Sequence, residues 1–168
     1  MYGYCANDCR GPGPRCGDNL VNGPEDCDDM NMIDSDECSN ECVAPRYVFV
    51  TSSPFTGKQI GSLSNADDVI CQLAGDNIAN GLKWVAWLSD GTTSAADRLD
   101  TTFQGYYRLP DKSVVAKGWI DLTDGMLLAP INLTQTGAMV GNPLQAWTDT
   151  AKKERKKGDN HCSNWMSD

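Results

Sequence analysis

Six of the chain's eight cysteines stand in its first 46 residues, a stretch with little apolar material besides Leu20, Val21, Met30, Met32 and Ile33. A segment that short and polar cannot fold by burial alone, so crosslinks, a metal or both must hold it. Cys5, Cys9, Cys16, Cys27, Cys38 and Cys42 supply the crosslinks. Six cysteines admit 15 pairings, and the sequence does not choose among them. An even, dense cysteine set in a chain of 168 residues predicts an oxidising compartment, secreted or at a cell surface. Zinc is the competing reading, but there is one histidine and no CxxC pair, so zinc-type ligand spacing is missing.

Charge divides the chain at the same place. Residues 1–46 hold ten acids and three bases, while residues 47–168 hold thirteen acids and eleven bases. The boundary is placed at Val43 to Arg46, giving an acidic module (1–46) and a second domain (47–168). An overall charge of −9 argues against nucleic acid as a partner, because phosphate binding needs basic surface. No run is long and apolar enough for a membrane span. Residues 1–20 are polar and glycine-rich, without a signal-peptide pattern, so a mature or trimmed chain is expected.

Within the module, Cys5-Ala-Asn-Asp-Cys9 and Cys38-Ser-Asn-Glu-Cys42 repeat one pattern 33 residues apart. That spacing predicts a repeat of which residues 1–15 are the tail of a preceding copy. Between the cysteines crowd Asp18, Glu25, Asp26, Asp28, Asp29, Asn31, Asp34 and Asp36. Hard oxygen donors at this density suit calcium, Ca2+, which takes about 6–8 oxygens; the best candidate ligands are Asp18, Asp28, Asp29, Asn31 and Asp36. A solvated acidic loop is the plainer alternative, and the segment lacks the EF-hand pattern.

The stretch CGDNLVNGPEDCDDMNMIDSDECSNEC, Cys16 to Cys42, resembles the Cys-rich repeat of myxobacterial and related bacterial surface proteins. That repeat reads CGDG, then GEECDDGN, then GDGCS and a final cysteine. This copy departs at Asn19, Pro24, Met30, Ser35 and Glu37, where glycine or glutamate is usual, and the lost glycines bear on the tight turns.

The second domain is organised around Lys83 to Asp90, KWVAWLSD, the most apolar run in the chain. It is short, rich in aromatic and β-branched residues and stopped by a turn, which predicts a buried central strand over 83–88. Tyr47 to Thr51 reads as an opening strand. Asn65 is a candidate N-cap, and Val69, Ile70, Leu73, Ala74 and Ile78 recur at helical spacing, predicting an amphipathic helix over 66–79. Thr92 to Leu99 reads as a short helix or loop. Tyr106–Leu109 and Ser113–Ala116 flank Pro110-Asp-Lys, a hairpin signal. Trp119 to Gly125 runs into a turn, and Ile131–Thr134, Gln145–Thr148 and Cys162–Trp165 are short strand candidates. One main helix with many short strands is an α+β pattern. Cys71 and Cys162 are the only cysteines after residue 46 and pair by default, or stay free if their partners belong to a segment absent from this chain.

YVFVTSSPFTG, NADDVICQLAG, KWVAWLSDGTTSAADRL, the hairpin, WIDLTDG, LLAPINLTQTG, AWT and HCSNWMS resemble, in that order, an uncharacterised domain of bacterial surface proteins. That domain is similar to endostatin and the C-type-lectin fold. The resemblance implies extracellular display and binding, and no reaction. The family continues past NCSNW into further strands with another cysteine pair; its final strand is therefore expected to be missing here, or supplied by a partner through strand addition.

Catalytic signals are few. His161 sits beside Cys162, but a disulfide-bonded sulfur is no nucleophile, and Asp90, Asp97, Asp121 and Asp124 read as turn aspartates. The calcium-dependent lectin motifs Glu-Pro-Asn and Trp-Asn-Asp do not occur. For ligand binding the candidates are Trp119, Trp147 and Tyr106, with Trp165 and Tyr107, as a stacking face, each also readable as a core residue. The basic run Lys152, Lys153 and Arg155 is the candidate for anionic polysaccharide or an acidic module of another copy, with a solvated loop as its plainer reading. The sequence thus points to a non-enzymatic adhesion module for a glycan or surface protein, with self-association into an extracellular assembly or filament as the alternative.

Overall fold

The computed structural model describes residues 11, 13–34, 36–141, 148, 150 and 165. The described residues form a small α+β structure with short helices, a three-stranded sheet and two disulfides. In chain order come β1 (Arg46–Tyr47), α1 (Gly57–Ile60), α2 (Leu63–Asn65), a π-helical segment (Ala66–Cys71), α3 (Gln72–Gly75), α4 (Ala95–Arg98), β2 (Tyr106–Arg108), β3 (Val114–Lys117) and α5 (Gly118–Thr123). The sheet order is β1-β2-β3. β1 lies parallel to β2, with Arg46 opposite Tyr107, and β2 is antiparallel to β3 across the expected hairpin. Its turn closes with the Lys112 N–H on the Leu109 carbonyl and puts Lys112 at φ 73°. This is the three-residue hairpin loop with a left-handed last residue.

The core lies where this sheet meets α5. Phe103, Tyr107, Leu109, Val115, Ala116, Trp119, Leu122 and Leu133 are buried together, and Trp87 stacks on Trp119 with ring centroids 5.2 Å apart. Trp119 to Gly125 is therefore largely helix, and Trp119 faces inward because Gly118, at φ 78°, turns the chain off β3.

The central segment behaves differently from its expected strand. Trp84 and Ala86 are buried as anticipated, but residues 83–88 join no sheet. Side chains take the place of a neighbouring strand. The Asp67 carboxylate accepts the Ala86 N–H at 2.7 Å, and Gln72 accepts the Trp84 N–H while donating to the Leu82 carbonyl. Arg98 donates to the carbonyls of Ala86 and Leu88 and closes on Asp67 with both carboxylate oxygens at 2.5 Å. Beyond it, Ser89 N–H bonds the Thr148 carbonyl, and the Trp165 indole N–H bonds the Ser89 carbonyl.

The expected helix over 66–79 instead runs through helical turns from Leu63 to Gly75, starting on Ser62, whose hydroxyl accepts the Asn65 N–H. The π-helical turn shifts the faces. Ala66 and Gly75 are buried, whereas Val69 and Leu73 are 47% and 69% exposed. The amphipathic stripe read at regular 3.6-residue spacing is broken because a wider turn moves every later side chain around the axis.

Gly75 packs face-on against Trp84: a Cβ there would lie 2.2 Å from the indole carbons. Gly→Ala inside a helix ordinarily adds about 1 kcal/mol of stability. At this position the sign reverses. Gly75→Ala is expected to lower stability by about 1–3 kcal/mol through overpacking, read as a lower midpoint in urea unfolding, and a neutral or stabilising result would refute the contact.

Other expected elements shrink. The opening strand survives as β1 plus an isolated bridge of Val50 to Thr134, and Ile131–Thr134 contributes only bridges. Thr92 to Leu99 contains α4, with a capping box between Ser94 and Asp97. The strand candidates at 145–148 and 162–165 fall outside the described residues except Thr148 and Trp165. Among the described residues, no helix is long and apolar enough to cross a membrane.

Candidate functional site

The acidic module is stapled by two nested disulfides, Cys16–Cys42 outside and Cys27–Cys38 inside. Cys5 and Cys9 lie outside the described residues. Between the staples, the loop is shaped by carboxylates that capture backbone N–H groups. Asp28 is the centre: Oδ2 accepts from Gly17 and Asp18, and Oδ1 from Asn19 and Met30, all within 3.2 Å. The Met30 N–H foremost, with those of Asp18, Asn19 and Gly17, outweighs desolvation and holds the Asp28 carboxyl below its ordinary value.

Around Asp28 the other candidate ligands fall into separate places. Asp18 accepts from Leu20 N–H. Asp29 accepts from Asn31 N–H, and Asn31 donates to Asp36 at 2.9 Å. The five therefore divide into Asp18 with Asp28, and Asp29 with Asn31 and Asp36. Glu25, outside that set, is 9% exposed, with Oε2 on the Asn22 N–H. Buried side-chain oxygens of Asn22, Glu25, Asp29 and Asn40 have no hydrogen-bond partner. All four are acceptors, so this loop is short of positive charge and donors.

Asn19 and Met30 take left-handed backbone at φ 69° and 64°. Asparagine tolerates this region; methionine pays about 1 kcal/mol for its Cβ there. Met30→Gly is expected to raise the melting temperature of the stapled module, by relief of about 1 kcal/mol, partly offset by greater freedom of the unfolded chain. A drop in melting temperature would contradict a strained Met30.

The module sits against the sheet. Asp34 receives the Tyr106 hydroxyl at 2.6 Å and the Lys117 ammonium at 2.8 Å, and Lys112 pairs with Glu37. Lys117 first, then Tyr106, holds the Asp34 carboxyl below its ordinary value. Next to this seam Arg46 pairs with Asp100 at 2.6 Å and lies over the Phe103 ring. Hydrogen bonds from Thr102, then Arg46, lower Asp100 to about 2. Arg108 in β2 is 2% exposed, with Nε and one terminal nitrogen unpartnered.

The expected stacking face does not form among the described aromatics. Trp119 and Tyr107 are core residues and Trp165 is 1% exposed, because their rings are the largest apolar groups available to fill a small core. Tyr106 is half-buried at the seam. Trp147, Lys152, Lys153, Arg155 and His161 lie outside the described residues. The expected Cys71–Cys162 disulfide is not formed at its described end: Cys71 is a free thiol in the π-helical segment. Burial, and then the Asp67 charge, push that thiol up to about 11, so it stays protonated and unreactive. Asp90, Asp97, Asp121 and Asp124 each accept a nearby backbone N–H in a turn or cap.

An open groove of about 300 Å³ lies between the helical turns and residues 51–55. Phe55, Val69 and Leu73 form its apolar wall, and Ser52, Asn77 and Gln135 its polar rim. Sequence reading missed it because Val69 and Leu73 were placed in the core. No family model, curated protein or solved structure matches the chain.

Proposed function

We propose that the chain is a secreted or cell-surface binding module, in which a disulfide-stapled, calcium-supported repeat carries a recognition domain of lectin-like or endostatin-like design that adheres to a glycan or protein. The observation that carries the reading is the backbone at Asn19 and Met30: the surface-protein repeat has glycine at both, and both are left-handed here. The open groove, with one aromatic ring, aliphatic walls and amide and hydroxyl groups at its rim, supports binding rather than turnover. The capping and turn roles of the aspartates favour the same conclusion over hydrolysis.

Glycan and protein arrays probed with the full chain test this. Binding is expected to be lost in Leu73→Asp, which places a charge in the groove, and an array signal identical in that variant would overturn the assignment of the groove. A second reading, a subunit of an extracellular assembly or filament, draws on the exposed apolar side chains of Ile120, Met126, Leu128 and Met139. A monodisperse monomer in light scattering would sink it.

A further inference from the structure

We infer that the turn Asn22-Gly23-Pro24-Glu25, closed over Asp28, is a calcium site, with Glu25 as its principal ligand. This rests on the calcium part of the proposed function and moves its centre to Glu25 and Asn22, keeping Asp28 alone of the five best candidate ligands. Glu25 is the buried acid of the module, 9% exposed, and its Oε1 is sealed from solvent without a partner. Its other oxygen holds the Asn22 N–H at 2.9 Å, so both residues belong to one short turn. The Asn22 side-chain oxygen is likewise buried and unpartnered. A carboxylate oxygen of Glu25, one of Asp28 and the Cys42 sulfur lie within 4.8 Å of one another.

The chemistry of this donor set selects the ion. Cys42 is bonded to Cys16 and offers no thiolate, so the donors are oxygens and the ion is hard. The two neighbouring carboxylates are acceptors that a cation would balance, the Asn22 amide oxygen stands in the same turn, and no ion pair reaches Glu25 or Asp28 among the described residues. Asp28 is positioned for the role by its four backbone N–H bonds, since ligating carboxylates are commonly fixed by outer hydrogen bonds. An irregular loop suits Ca2+, which accepts variable geometry, better than Mg2+, which demands an octahedron.

Calorimetric titration of the chelator-treated full chain with CaCl₂ is expected to give one site of about 0.1–1 mM, the range of extracellular calcium modules, with MgCl₂ weaker. Glu25→Gln keeps the shape and is expected to weaken binding at least about tenfold; Asn22→Asp is expected to tighten it. Asp29→Asn and Asp36→Asn are expected to change it by less than about twofold. Non-reducing mass spectrometry of each variant verifies that both disulfides remain. If calcium binds equally well to Glu25→Gln and is lost in Asp29→Asn, this location is wrong while the calcium reading stands. If the wild-type chain takes up no calcium and melts identically in calcium and EDTA, both fail.

Discussion

Arg98→Met is expected to lower the stability of the second domain by about 3–5 kcal/mol, the cost of stranding a buried charge. The substitution leaves the Asp67 carboxylate, 15% exposed, without its guanidinium. It also frees the carbonyls of Ala86 and Leu88. Asp67→Asn alone is expected to cost a comparable amount for the mirrored reason. The double variant Asp67→Leu/Arg98→Met is expected to be more stable than the sum of the singles implies, because an apolar pair removes both charges together. Urea unfolding followed by tryptophan fluorescence reads all three. Additive losses, or a loss below about 1 kcal/mol for Arg98→Met, would show that the pair is merely a surface contact.

Reducing the two disulfides is expected to unfold the acidic module outright. In the chain-entropy model the bridge spanning 26 residues and the one spanning 11 contribute about 3–4 and about 3 kcal/mol. Together they approach the total stability of a small domain, and the module has no apolar core to compensate: Leu20, Val21, Met30, Met32 and Ile33 are all exposed. All five tryptophans lie beyond residue 46, so fluorescence follows the second domain and hydrogen exchange of residues 16–42 follows the module. Dithiothreitol is expected to abolish protection in the module while tryptophan fluorescence keeps a cooperative transition at lower urea. Undiminished protection after reduction would refute the dependence on crosslinks.

What could be read from the sequence was what local chemistry encodes. The hairpin was legible because Pro110-Asp-Lys marks its own turn, and the burial of Trp84 and Ala86 because no polar residue interrupts the run. The pairing of that run was not. Its backbone partners are Asp67, Gln72 and Arg98, side chains from elsewhere in the chain, and side-chain pairing leaves no alternation to detect. The π-helical turn was equally silent, since ordinary helical spacing was enough to place Val69 and Leu73 on the wrong face. In the module, the density of acids was legible, but which of them is buried, Glu25, was not, because burial of one carboxylate among many depends on how the loop folds. Arg108 gave no signal either, because a single basic residue in a short strand reads as exposed.

β1 begins four residues after Cys42 and pairs in parallel with a strand 60 residues further on. The last staple of the module and the first rung of the sheet are thus joined by too little chain to act as a swivel. Traction on the amino-terminal side would load the β1–β2 rungs in shear, as a block, instead of peeling them one at a time. The short connection would thus make the junction between module and sheet stiff under load.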